Sequence, residues 1–384
     1  MSVQQTLAEL VAIDSVSSRS NAAIISYLRQ RCEARGLLVE EYPHLDANGE
    51  IKINLVAQTS VCDSTNEQTQ AEACATVELA LVGHTDTVPY DSAWTDALRL
   101  TETDGKLFGR GACDTKAFIA AALTAIENFD LAKLKKPLAL VFTCDEEIGC
   151  LGAKRLAAVK PFTARYAIVG EPTSLQPMRA GKGYCLAEIT VHGREAHSAY
   201  PHLGISAISR AAYLLSAIEG IAEGLRTERH EAFDPPYTTL NIGLINGGTA
   251  KNVVAAECRF TLEWRTIPGQ RADHVLNIVR ETVKQISETY PDFSCGIDAG
   301  RFDESFETRG ESALVQFLEQ AAGKSSATVA FGTEAPSMIT MGAEAVVFGP
   351  GDIRVAHRTG EFVPADELNE SVEILRKSIE TFCR

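Results

Sequence analysis

Gly83-His84-Thr85-Asp86-Thr87-Val88-Pro89 follows directly on an apolar run at 77–83. That run has the length of a strand and is apolar at successive positions after Glu78, which suits a sheet covered on both faces. Similar runs stand at 53–57, 138–144 and 166–170, and an alanine-rich helical run at 116–128 lies between the second and third of the four. Nearer the start, Asn21 can cap a helix whose apolar face includes Ile24, Ile25 and Leu28, and Gly36 can end it. Alternating helix and strand signals make this an α/β domain, and in such sheets sites form beyond the carboxyl ends of the strands. Residues i and i+2 of an extended stretch point the same way, so Asp86 can reach the ring of His84. A carboxylate behind a histidine sets its tautomer and makes it a better metal ligand. A surface His-Asp pair is the other reading of the same residues.

Working outward, other segments carry acids or a histidine. In Gly109-Arg110-Gly111-Ala112-Cys113-Asp114-Thr115-Lys116, Asp114 stands where it can cap the helical run. The Gly-Lys-Ser/Thr ending of a phosphate-binding loop is absent. Cys144-Asp145-Glu146-Glu147-Ile148-Gly149 ends the most apolar strand. Adjacent carboxylates by themselves suit a solvated turn. On an extended segment they point apart, so one can bind metal while the other faces substrate as a general base. Gly170-Glu171-Pro172-Thr173 ends another strand, and Ala356-His357-Arg358-Thr359-Gly360-Glu361 follows Gly349-Pro350-Gly351. Histidines and carboxylates without thiolates suit a catalytic zinc pair better than a structural zinc site.

Around residue 182 the texture changes. Runs at 185–191 and 253–265 alternate with period two, and helical patterns appear at 205–225 and 273–290. The α/β texture returns near residue 300, with a helix at 311–322, a strand at 345–348 and a helix at 365–382. The expected organisation is a domain built from 1–181 and 299–384, with a smaller α+β domain, 182–298, inserted in it. Residues 61–75 are polar and read as an exposed loop.

The chain has 384 residues, 45% of them hydrophobic, enough for two domains. Its formal net charge of −15 disfavours nucleic acid as a partner. Apolar stretches are too short to span a membrane. Ten scattered cysteines, with no Cys-x-x-Cys pair, read as reduced and buried. With no secretory signal at Met-Ser-Val-Gln-Gln-Thr, the expected location is cytoplasmic.

In this order, the five segments resemble the M20 family of metallopeptidases and deacylases across essentially the whole chain. The resemblance implies a zinc-exopeptidase-like catalytic domain, a central mixed sheet covered by helices, with an inserted dimerisation or lid domain. It implies two Zn²⁺ per chain, with Co²⁺ or Mn²⁺ as possible substitutes. His84 and Glu171 would hold one metal, Glu147 and His357 the other, and Asp114 would bridge them. Glu146 would be the general base and Asp86 would orient His84. Cys113 and Thr115 flank Asp114 where the family often has other small or apolar residues. The resemblance also implies a homodimer formed through the inserted domain, with His197 stabilising the oxyanion in the neighbouring subunit's site.

Glu171-Pro172-Thr173-Ser174-Leu175-Gln176-Pro177 and Gly332-Thr333-Glu334-Ala335-Pro336 look like the branch that deacetylates N2-acetyl-L-ornithine, giving ornithine and acetate in arginine biosynthesis. In that role Arg265 would meet the substrate carboxylate, Asn252 would add a hydrogen bond and Glu334 would attract the side-chain ammonium. Arg265 reads equally as a charge on a strand surface. Glu146 would take a proton from water and return it to the leaving amine. Rivals on the same scaffold are acetylcitrulline deacetylase, succinyl-diaminopimelate desuccinylase and a dipeptidase. An inactive binding homologue should have lost a ligand or the base, and here the set is complete.

Overall fold

A computed structural model of the chain describes residues 1–60, 76–127 and 129–384. The polar stretch 61–75 lies outside the described residues. Two compact units emerge: one comprises Met1–Ala180, Glu307–Ala327 and Thr333–Arg384, the other Gly181–Phe306 and Thr328–Gly332.

The first unit is built on a large mixed sheet. Neighbouring strands run Leu38–Leu45, Ile51–Gln58, Leu138–Thr143, Thr76–His84, Thr163–Val169 and Glu344–Val347. The last four are parallel; Ile51–Gln58 pairs antiparallel with the nearest of them, and Leu38–Leu45 pairs antiparallel with Ile51–Gln58. The parallel strands are buried almost throughout, as their unbroken apolar runs require. Helix Lys116–Glu127 is buried along nearly its whole length, with Phe118 and Ile119 packed into the main core. Helices Val3–Val11, Ala22–Ala34 and Ala365–Cys383 supply further layers of that core.

Register decides what this sheet can do. His84 pairs with Thr143, and Val169 pairs with both Val82 and Val347. Four parallel strands therefore end level, and the segments after Thr143, Val169 and Val347 leave from one edge beside His84. This edge is where an open α/β sheet places a site.

Two expected helix caps fail for one reason. The Asn21 side chain makes no cap bond; its amide donates to Ile53 O at 2.8 Å and its oxygen accepts from Ile53 N at 2.9 Å. Asp114 likewise turns away from helix Lys116–Glu127 toward two imidazoles. Each group satisfies buried partners that local capping would leave unmade.

The second unit is a four-stranded antiparallel sheet in the order Thr239–Gly247, Glu257–Arg265, Tyr184–His192, Ser294–Asp303. Helices Ala207–Leu225 and His274–Thr289 contribute to its core. Alternate residues of Glu257–Arg265, among them Phe260, Leu262 and Trp264, point into that core, as the period-two pattern requires. Strand Ser294–Asp303 carries this sheet past residue 299. Edge strand Thr239–Gly247 is exposed along most of its length.

Among the described residues no helix is long and apolar enough to cross a membrane. Seven of the eight described cysteines are buried.

Candidate metal centre

His84, the last residue of its strand, is 1% exposed. Its Nδ1 lies 3.0 Å from the backbone carbonyl of Asp86. A carbonyl can only accept, so Nδ1 carries a proton and Nε2 is the nitrogen turned to the centre. Nε2 faces Asp114 Oδ1 at 3.0 Å. The other oxygen, Asp114 Oδ2, lies 3.1 Å from His357 Nε2, which is also 2.9 Å from Glu147 Oε2. Each oxygen of one buried carboxylate thus serves a different imidazole.

Two donor triads share that carboxylate: His84, Asp114 and Glu171, and Asp114, Glu147 and His357, the donor atoms of each lying within 4.8 Å of one another. All five positions come from the ends of the level strands or the loops beside them. Glu171 follows Gly170, which leaves no space for a side chain: a Cβ there would lie 2.2 Å from the Phe118 ring. Gly170 is further held by bonds from its N–H to Val82 O at 2.8 Å and from Thr115 Oγ1 to its own carbonyl at 3.0 Å.

The pair Glu146-Glu147 does not lie on an extended segment, contrary to the sequence reading. Asp145 has φ 56° and Cys150 φ 54°, and the chain between them turns back on itself. His357 has φ 59°. A left-handed non-glycine residue costs roughly 1–2 kcal/mol, so a well-packed surround must enforce these conformations. Part of that surround is Asp86. Its carboxylate lies 3.7 Å from His84 Nδ1 and makes its hydrogen bonds elsewhere. Oδ1 accepts from Glu146 N at 3.1 Å; Oδ2 accepts from Glu147 N at 3.3 Å and from Ser17 Oγ at 2.8 Å. Asp86 therefore touches the histidine through its main chain and organises the two glutamates through its side chain.

Glu146 is 8% exposed, and its Oε1 accepts from the Cys150 thiol at 3.2 Å. Burial, with Glu147 and Asp114 nearby, pushes its carboxyl up to about 8 against the pull of His84. Burial also raises Glu147, and raises Glu171 well above the usual carboxylate range. The hydrogen bonds it donates to Asp114 and Glu147 lift His357 to about 10. Burial alone would lower His84, but the hydrogen bond and charge of Asp114 raise it well above its ordinary value. Carboxylates crowded at this density demand positive charge, and imidazole nitrogen with carboxylate oxygen is a donor set that divalent zinc, cobalt or manganese accepts. The residues present therefore fit a pair of such ions.

Glu334, in the same unit, is 1% exposed, with the Thr143 hydroxyl near its carboxylate. Burial raises its carboxyl to about 7, opposed by the charge of His84. The sequence pattern offers no sign that this acid is interior.

The remaining candidates belong to the second unit. His197 is exposed, and its Nδ1 accepts from Ala199 N at 3.1 Å, which leaves Nε2 as the protonated, donating nitrogen. Asn252 lies beside it, its carbonyl accepting from Ser198 N at 3.0 Å. Arg265 is already engaged: Nε bonds Glu263 at 2.9 Å, Nη1 donates to Ala330 O, and the guanidinium lies 4.3 Å from the centre of the Tyr184 ring.

Residues that the sequence reading left without a role also gather at the centre. They are Ser17, Cys150, Arg110 and Glu361. The last two stand inside segments already singled out, and their opposite charges were the available signal.

Comparison with known proteins converges on one group. The profile of peptidase family M20/M25/M40 matches residues 80–381. An acetylornithine deacetylase of Myxococcus xanthus is 50% identical over 382 residues, covering 99% of this chain and 97% of its own. A tripeptidase of Staphylococcus aureus superposes with a TM-score of 0.76 at 23% identity, covering 99% of this chain and 97% of its own. A dinuclear metal-binding peptidase of the M20 family from Bacillus subtilis gives 0.66 at 15% identity, covering 99% and 97%. At these identities the two structures speak for the fold.

Proposed function

This chain belongs to the peptidase family M20/M25/M40, and on that premise we propose that it hydrolyses the amide of an N-acetyl amino acid, N2-acetyl-L-ornithine first, at a centre holding two zinc ions. One observation carries the chemistry: Asp114 divides its two oxygens between the His84 and the His357 clusters. A carboxylate shared by two donor triads would suit a pair of cations. The choice of substrate rests on the 50% identity to the Myxococcus xanthus acetylornithine deacetylase over nearly the full length of both chains.

His84, Asp114 and Glu171 would hold one ion, and Asp114, Glu147 and His357 the other. Bound there, divalent cations supply Lewis acidity toward the acetyl carbonyl and lower the pKa of water. The chain's own residues do the rest. Glu146, kept dry and basic by burial, takes the proton of the attacking water and hands it to the departing amine. The Asp86 carboxylate holds the amides of Glu146 and Glu147, so base and ligand keep their spacing. The backbone carbonyl of Asp86 keeps the His84 proton on Nδ1. His197 donates from Nε2 to the oxyanion of a neighbouring subunit's substrate, a donor of the kind that matters most when charge develops. Arg265, steadied by Glu263 and Tyr184, meets the α-carboxylate with help from Asn252. Glu334, a buried carboxylate, receives the side-chain ammonium.

The homodimer in this reading forms through the second unit. Its support is edge strand Thr239–Gly247, where Leu244 is 66% and Ile245 52% exposed, with Ile208 and Tyr213 exposed on the adjacent helix. An open edge carrying apolar side chains invites pairing with a second copy. The scattered, mostly buried cysteines suit a reducing compartment, and the cytoplasm is the location we assign.

The test is Glu146→Gln. Turnover of acetylornithine should fall by a factor of roughly 10²–10⁴, while the variant still binds two equivalents of zinc. Turnover near that of the wild type would refute the assignment of the base. A panel of acetyl amino acids, succinyl-diaminopimelate and dipeptides separates the deacetylase from its rivals.

A further inference from the structure

We propose that the buried ion pair Arg110–Glu361 is a positioning device that sets how tightly the Glu147–His357 side of the centre holds its cation. The proposal rests on the two-metal reading above. Glu361 is 1% and Arg110 3% exposed, and Arg110 Nη1 stands 2.6 Å from Glu361 Oε2. The other oxygen, Oε1, accepts from Cys113 N at 2.9 Å and from Asp114 N at 3.0 Å. The Glu361 carbonyl accepts from Gly109 N at 3.1 Å. Arg110 also donates to Pro89 O at 3.3 Å and stacks on Trp94, 5.4 Å from the ring centre. One pair thus ties together the segments that bear His84, Asp114 and His357.

The ties are unequal in consequence. His84 is fixed independently, in register with Thr143 inside the sheet, and Glu171 follows closely on the paired Val169. Neither needs the ion pair to keep its place. His357 has no such ladder. It sits in a loop with its side chain 50% exposed, in a left-handed conformation, and its ring faces Asp114 and Glu147. Glu361, four residues on, joins that loop to the backbone of Asp114. Two donors of the second triad, Asp114 and His357, therefore hang on segments that Glu361 joins, against Asp114 alone in the first. A device of purely structural value would loosen the unit evenly. A positioning device should loosen one metal more than the other.

The measurement is titration calorimetry of Co²⁺ into full-length, chelator-stripped protein, wild type against the double variant Arg110→Met/Glu361→Gln. Removing both charges avoids stranding one of them in the interior, and glutamine keeps an oxygen for the amides of Cys113 and Asp114. We expect two equivalents in the wild type. In the double variant the first should bind within threefold of wild type and the second at least tenfold more weakly. Arg110→Lys, which keeps the charge, should restore most of the second affinity and serves as the readout should the double variant not fold. Unchanged binding of both equivalents, or equal weakening of both, would overturn the proposal. A wild-type protein that itself binds fewer than two equivalents would overturn the two-metal reading and this proposal with it, a failure distinguishable because it needs no variant.

Discussion

Replacing Asp86 by asparagine should injure the centre without touching a metal donor. The Asp86 carboxylate accepts three hydrogen bonds, from Glu146 N, Glu147 N and Ser17 Oγ, and is 2% exposed. Asparagine keeps one acceptor oxygen. With that oxygen in the place of Oδ2, the bonds from Ser17 and Glu147 survive, but the new amide group confronts Glu146 N–H. With it in the place of Oδ1, the Glu146 bond survives and Ser17 can reorient, its hydroxyl proton going to Thr87 O at 3.1 Å. The amide group then confronts Glu147 N–H. In either orientation one N–H of the turn loses its acceptor and meets another donor. A hydrogen bond to a charged group contributes about 1.5–3 kcal/mol. At about 1.4 kcal/mol per decade this is a loss of roughly 10- to 150-fold, in line with the roughly 10- to 100-fold seen when groups behind metal ligands are removed. Chelator competition for zinc and kcat/KM on acetylornithine are the two readouts, with circular dichroism to confirm folding. Ser17→Ala is the control: both turn amides keep their acceptors, so it should cost less than Asp86→Asn in both readouts. An Asp86→Asn protein within twofold of wild type in both readouts would refute the reasoning, as would a Ser17→Ala variant equally impaired.

Gly170→Ala should destabilise the first unit by about 1–3 kcal/mol or more, because its Cβ would lie 2.2 Å from the Phe118 ring; urea melts check this, and a wild-type midpoint would contradict the packing. In metal-stripped protein, His357 titrates near 10 when folded against 6.5 ordinarily. The folded state then holds a proton that the unfolded state has released, so stability is fully present below about pH 6.5 and falls as pH rises toward 10. Thermal melts of chelator-treated protein should show this fall, and His357→Ala should flatten it; identical slopes would argue against the ion pairs at His357. Glu334→Gln should lower kcat/KM for acetylornithine more than for a neutral acetyl amino acid, and unchanged selectivity would remove Glu334 from substrate recognition.

Much of the centre was legible before any coordinates. His84, Asp114, Glu171 and His357 follow apolar runs or glycine-rich loops, and such punctuation survives in one dimension. The relation of Glu146 to Glu147 was not, because it depends on the left-handed Asp145 and on a turn closed by distant Asp86. Asn21 misled for a related reason: its capping signal is local, while its partner Ile53 lies on a strand 32 residues away.

The sequence by itself determined the α/β class, the order of the strand-end segments and the chemical types gathered there. Periodicity and the side-chain inventory are properties of a chain at any shape. Only the tertiary structure decided which oxygen of Asp114 serves which histidine, that Asp86 supports the glutamates with its carboxylate and His84 with its carbonyl, and that Arg110 meets Glu361 across 251 positions of chain. Those are matters of register and burial. A hydrogen bond depends on tenths of an ångström between groups remote in sequence, and that distance exists only once parallel strands have aligned their ends.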